Sequence, residues 1–94
     1  LPRPIAIVAM GENARNAAIK VSEDLRAEGH TVAMPLEETS FKSQFKKADK
    51  ANANWTIIIG EDEVAKGECG VKNMETGDQT TVPFGDVVAF VSKK

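Results

Sequence analysis

Residues 5–10, IAIVAM, form an unbroken apolar run of strand length, the pattern of a strand covered on both faces in an α/β sheet. Gly11 breaks it. From Asn13, read as an N-cap, Ala14, Ala17, Ala18, Val21 and Leu25 recur on one helical face until Gly29, which predicts a first helix over residues 14–28. Residues 30–36, HTVAMPL, read as a second strand, and Pro35 argues for an edge position where no ladder donor is needed. Thr39 or Ser40 can cap a second helix over residues 41–51, with Phe41, Phe45 and Ala48 sharing a face. Residues 55–59, almost wholly apolar, predict a central third strand. Residues 70–74 and 80–82 then read as a hairpin joined through ETGD, in which Gly77 suits a positive-φ turn position. Asp86, Val87, Phe90 and Val91 predict a short last helix, with Lys93 and Lys94 at its negative dipole end.

The resulting order, β-α-β-α-β-β-β-α, predicts a three-layer α/β sandwich whose first three strands are parallel and linked by right-handed crossovers. The ligand edge of such a sheet is the carboxyl end of the parallel strands. Gly11, residues 37–40 and the GEDE turn at residues 60–63 gather there.

At 94 residues the chain fits one domain, 1–94, and 41% hydrophobic with 28% charged residues excludes the low-apolar composition of a disordered segment. The chain opens with LPRP and no initiator Met, so residues 1–4 read as a linker remnant of a larger protein. A net charge of −2 exerts no global pull on polyanions, so any such site needs local clustering of cations. One cysteine, no leader and no apolar run of about 18 residues indicate a reduced, cytoplasmic protein without a membrane span. Cys69 itself reads as a small core residue.

Two charged clusters carry the candidate chemistry. Lys42, Lys46 and Lys50 repeat at i, i+4 and i+8 on the second helix, with Lys47 on the flank and Asp49 as the acid among them. Such a stripe is ordinarily a solvated face, and the alternative is a surface that holds nucleic-acid phosphates. Glu61, Asp62 and Glu63 follow the third strand. A metal site would need more distant carboxylates to converge with them, and acid–base catalysis would need a partner that the single His30 does not supply. The bland reading is that Glu61 or Asp62 caps one helical turn that Gly67 closes, which leaves one acid free to accept from a base. VAMGENA, residues 8–14, has one glycine and is neither a dinucleotide fingerprint nor a P-loop.

Over nearly its whole length the chain resembles the C-terminal anticodon-binding domain of class IIa aminoacyl-tRNA synthetases. SFKSQFKKADK (40–50), IIIGEDEVAKG (57–67) and VKNMETGDQ (71–79) make it most similar to the histidyl-tRNA synthetases within that family. The prolyl, threonyl and glycyl branches usually carry a proline before the third strand, where this chain has ANANW. The resemblance implies a five-stranded mixed sheet with three helices and the task of binding the anticodon stem-loop of a histidine-specific tRNA. It matches Glu63 to an acid that contacts an anticodon base, Lys72 to a basic position on the next strand, and Phe41 and Lys42 to the start of the second helix near the anticodon loop. Lys42, Lys46 and Lys50 are then the phosphate contacts; Phe41 is alternatively a core residue. Lys72 stands where some relatives carry Arg, whose fork a lysine does not reproduce. Cys69 and Gly70 stand where relatives often carry β-formers and are expected to loosen the fourth strand. The resemblance further implies a homodimeric parent that charges tRNA in a separate domain holding ATP and magnesium, and no catalytic residue, cofactor or metal in this one. The rival is a regulatory or dimer-contact domain of a synthetase paralogue that charges no tRNA; an enzyme acting alone is a third reading.

Overall fold

β1, Ile5–Ala9, is buried at all five positions, as an apolar run flanked by strands and covered by helices must be. A computed structural model describes residues 3–34 and 40–92. The remaining strands are β2 (Val32–Ala33), β3 (Trp55–Ile59), β4 (Glu68–Asn73) and β5 (Gln79–Pro83), in the sheet order β2-β1-β3-β4-β5. β1 pairs in parallel with β2 and β3, whereas β3–β4 and β4–β5 are antiparallel, so the sheet is mixed as expected.

The alternation of side chains divides this sheet into two faces. Ile5, Ile7 and Ala9 of β1, Ile57 and Ile59 of β3, Cys69 and Val71 of β4 and Val82 of β5 form one core. Against it lie α1 (Glu12–Ala27), through Ala14, Ala18, Val21 and Leu25, and α4 (Val87–Ser92), through Val87 and Val91. The other face is thinly covered: Ala6, Ala48 and Ala53 are its buried core, with Met74 packed against them. α2 (Phe41–Lys50) supplies Ala48, which completes three layers. A change such as Ile57→Ala in the thicker core would cost about 2–5 kcal/mol.

Several local signals act as expected. Ser40 Oγ accepts from the Ser43 N–H at 3.1 Å and caps α2. Gly67 adopts the left-handed conformation at the end of a short helix, and Gly77 has φ 82 in the β4–β5 turn. In that turn Asn73 Oδ1 accepts from the Glu75 and Thr76 N–H groups, and the Asn73 N–H donates to Asp78 O at 2.8 Å.

Other boundaries move. α1 starts at Glu12 from Gly11, not from Asn13. β2 keeps two residues at the sheet edge; Pro35 and Leu36 of the expected strand, with Glu37 and Thr39, lie outside the described residues, as do Lys93 and Lys94. The acidic turn is a helix of its own, α3 (Glu61–Lys66), making four α-helices among the described residues rather than three, and a 3-10 turn at Phe84–Asp86 precedes α4. β4 begins at Glu68 because Glu68 and Cys69 pair with Pro83 and Val82. Cys69 is fully buried there, so it packs the strand instead of loosening it. Arg3 donates from Nε to Asn52 O at 3.0 Å and pairs with Glu75 at 3.1 Å, tying the start of the chain to the α2–β3 connection and the hairpin.

Candidate nucleic-acid interface

The three acids after β3 take three different positions. Glu61 reaches back to the start of α1: Oε2 accepts from the Asn13 and Ala14 N–H groups at 3.1 and 3.2 Å, and Oε1 from Asn13 Nδ2 at 3.1 Å. It thus supplies the N-cap that α1 lacks from its own segment, with its charge at the positive end of the helix dipole. Gly11 makes room, because a Cβ there would collide with the Glu61 carboxylate, and its φ of 105 suits glycine. Asp62 is exposed in the first turn of α3.

Glu63 bends back on its own helix, where Oε1 accepts from the Gly60 N–H at 2.7 Å. This is the acidic half of a capping box; glycine has no side chain to supply the other half. A Cβ on Gly60 would lie 2.6 Å from that oxygen, so glycine permits the approach. Among the described residues Glu63 Oε2 has no partner. The acid expected to read a base therefore also organises the turn, a task the sequence assigned to Glu61 or Asp62.

α2 packs against the sheet through Gln44 and Ala48, with Phe41 and Phe45 half-buried beside them. The inward face is therefore rotated from the expected Phe41–Phe45–Ala48 line toward Gln44, and this rotation sorts the lysines. Lys42 and Lys46 lie on the flank toward β4, where they line an open depression of about 470 Å³ with Phe45, Asp49, Lys72 and Met74. Lys72 Nζ stands 5.7 Å from the centre of the Phe45 ring, within cation–π range. Lys50 is exposed and does not line that depression, and Lys47 falls on the opposite flank, beside Ala33 and Met34.

The strip continues over the bare part of the sheet. α2 contacts β1, leaving the β4–β5 half of this face uncovered by a helix among the described residues. Lys72 pairs with Thr56 and Gln79, and Gly70 with Ile58 and Thr81, so Lys72, Gly70 and Gln79 share the open face. At the other end, the ring of Phe41 comes within 3.8 Å of where a Gly60 Cβ would stand, next to Glu63. Phe41 and Glu63 thus mark one end and Lys72 the other, separated by four positions of β3, or about 13 Å. Phe45, Gly70 and Gln79 were missed by the sequence reading. Phe45 repeats Phe41 at i+4, and Gly70 sits two residues before Lys72 on one strand face, so both periodicities were present.

The remaining chemistry-bearing residues lie elsewhere. His30 Nε2 is 2.9 Å from Ser92 Oγ, at the end of the sheet opposite the acidic turn. Burial, with a smaller push from the carboxylates of Glu63 and Glu68, raises the Cys69 thiol from 9.0 to about 12. Its Sγ lies 3.6 Å from Val82 O inside the core. Among the described residues no three His, Cys, Asp or Glu side chains converge as a metal would require, and no helix is long and apolar enough to cross a membrane.

Residues 4–94 match the family described as anticodon binding domain. Histidine–tRNA ligase of Halalkalibacterium halodurans is 39% identical over 88 residues, which are 94% of this chain and 21% of that protein. The histidine–tRNA ligase of Laribacter hongkongensis is 40% identical over 89 residues, with 94% and 21% covered. Among solved structures, apo histidyl-tRNA synthetase of S. aureus is similar with a TM-score of 0.89 at 33% identity, over 98% of this chain and 24% of that one. The chain thus spans about a fifth of the length of the curated relatives it matches.

Proposed function

The chain belongs to the anticodon binding domain family, and on that premise we propose that it binds the anticodon stem-loop of a histidine-specific tRNA as one domain of a histidine–tRNA ligase. The observation that carries the reading is the strip itself. Cations from two elements, Lys42 and Lys46 of α2 and Lys72 of β4, line one depression with Phe45, and a carboxylate oxygen of Glu63 that has no partner among the described residues stands at its far end.

Each part has a distinct task. The lysines neutralise phosphates and release counterions, which holds the loop in place without reading it. Half-buried aromatic faces at Phe41 and Phe45 offer stacking surfaces to unstacked loop bases, the usual mode of sequence-specific RNA recognition. Glu63 Oε2 accepts from a base amino or imino group and so favours bases that present one. Lys50, facing away from the depression, contributes through the general field rather than by contact. Histidine activation and transfer, with ATP and magnesium, belong to the remainder of a homodimeric, cytoplasmic parent, and this domain supplies no catalytic group or cofactor.

Fluorescence titration of the full-length protein with anticodon stem-loops tests the reading. The histidine anticodon should bind more tightly than loops with altered anticodons in the same stem. Equal affinity for every loop would remove base reading from the strip, and no affinity for any loop would remove RNA from it altogether.

A further inference from the structure

Among the described residues, β2 flanks only the first two residues of β1, Ile5 and Ala6. In a parallel strand, alternate residues direct both backbone polar groups to the same side. The Ile5 N–H donates toward β2, to Thr31 O, and the Met10 N–H donates toward β3, to Ile59 O. Ala9 therefore faces the β2 side, beyond the point where β2 pairs, and without another partner it would be an open end of a buried ladder.

One side chain closes it. Gln44 Oε1 accepts from the Ala9 N–H at 2.8 Å, and Gln44 Nε2 donates to Ala9 O at 3.0 Å. A primary amide thus presents the donor and acceptor that a neighbouring peptide group would have offered. Gln44 comes from α2, 35 residues away in sequence, and is 1% exposed. The apolar seat of α2 is slight by comparison, with Ala48 against Ala6 and Ala53. Small methyl surfaces do not select a register, whereas two directional bonds to one residue do.

We propose that Gln44 is a positioning residue for RNA recognition: its carboxamide extends the edge of the sheet at Ala9 and thereby fixes where Lys42, Phe45 and Lys46 stand relative to Lys72. It contacts no RNA itself. The inference rests on the RNA reading of the strip, and its test separates the two.

Gln44→Met and Gln44→Glu are compared with wild type in the full-length protein. Methionine keeps the length of the side chain but replaces the amide with a thioether, which leaves both Ala9 groups open. The introduced carboxyl can rebuild both bonds only when protonated, because a carboxylate has nothing to donate to Ala9 O. Among the described residues, Lys47 is the charged group that lines the groove with Gln44. At about pH 7.5 both variants should bind the stem-loop about tenfold more weakly than wild type, and at about pH 5.5 only Gln44→Glu should recover. A Gln44→Met affinity within about twofold of wild type, or a Gln44→Glu deficit that ignores pH, overturns the positioning role. If Gln44→Met does not fold, the pH profile of Gln44→Glu decides. Hydrogen exchange over residues 5–10 gives a reading independent of RNA. Faster exchange in Gln44→Met supports the latch, and unchanged exchange overturns it, even if wild type proves to bind no RNA.

Discussion

Glu63 caps its own turn with one oxygen, and the proposed base contact falls to the other, so substituting it can separate the two. Oε1 accepts from the Gly60 N–H at 2.7 Å, and Oε2 has no partner among the described residues. Glu63→Ala removes both. Losing the cap bond costs about 1 kcal/mol of stability, which in a domain of this size lowers the melting temperature by about 4–8 °C. Losing the proposed base contact should cost a further 1–3 kcal/mol of affinity, or roughly fivefold to 150-fold in Kd. Glu63→Gln divides the two effects. Its carboxamide oxygen still accepts from Gly60, as glutamine does in capping boxes, but an NH2 donor now occupies the place of Oε2. Stability should stay within a few tenths of a kcal/mol of wild type. Affinity for the histidine anticodon should fall by about as much as in Glu63→Ala, and preference should shift toward a base that presents an acceptor. Thermal melts paired with stem-loop titrations over the four bases at each anticodon position give both readings. If Glu63→Gln binds every loop as wild type does, Glu63 is a capping residue and reads nothing.

Three further outcomes follow from the geometry. Lys42→Ala and Lys46→Ala should each weaken binding to all loops alike and flatten the slope of log K against log salt by about 0.7, whereas Lys50→Ala should change it less; equal slopes for all three would place the strip wrongly on α2. Gly11→Ala should cost about 2–3 kcal/mol, from a positive φ and a displaced Glu61 cap. In urea denaturation its effect should add less than fully to that of Glu61→Ala, since both lose the same contact; full additivity would show that the Glu61 clip does not hold. Cys69 stays neutral in the fold while the unfolded thiol ionises, so unfolding releases a proton between the two pKa values. Stability relative to Cys69→Ala should therefore be complete below about pH 9 and fall above it by up to about 1.4 kcal/mol per pH unit toward pH 12. Denaturant melts from pH 8 to 10.5 would check the sign, and a flat difference over about pH 9–10.5 would contradict the raised thiol.

The sequence by itself determined whatever depends on a few consecutive residues. The apolar run of β1, the Ser40 cap, the left-handed Gly67 and the turn at Gly77 are local preferences of backbone and side chain, and each is met in the fold. The motifs at residues 40–50, 57–67 and 71–79 carried the family and, through it, the mixed order of the sheet. Tertiary structure decided what spans the sheet. Nothing near Asn13 says that the α1 cap comes from Glu61, 48 residues on, or that Ala9 is closed by Gln44. Periodicity drew Lys42, Lys46 and Lys50 as one stripe; seating α2 on Gln44 and Ala48 turned the helix so that Lys42 and Lys46 meet Lys72 and Lys50 does not. A helical wheel gives the angles between side chains but not which angle faces the sheet, because that is set by packing and hydrogen bonds with strands far away in sequence. For the same reason the GEDE turn could be read as acid at the ligand edge, while the division of labour between Glu61 at the α1 terminus and Glu63 on the open strip appears only once those elements are assembled.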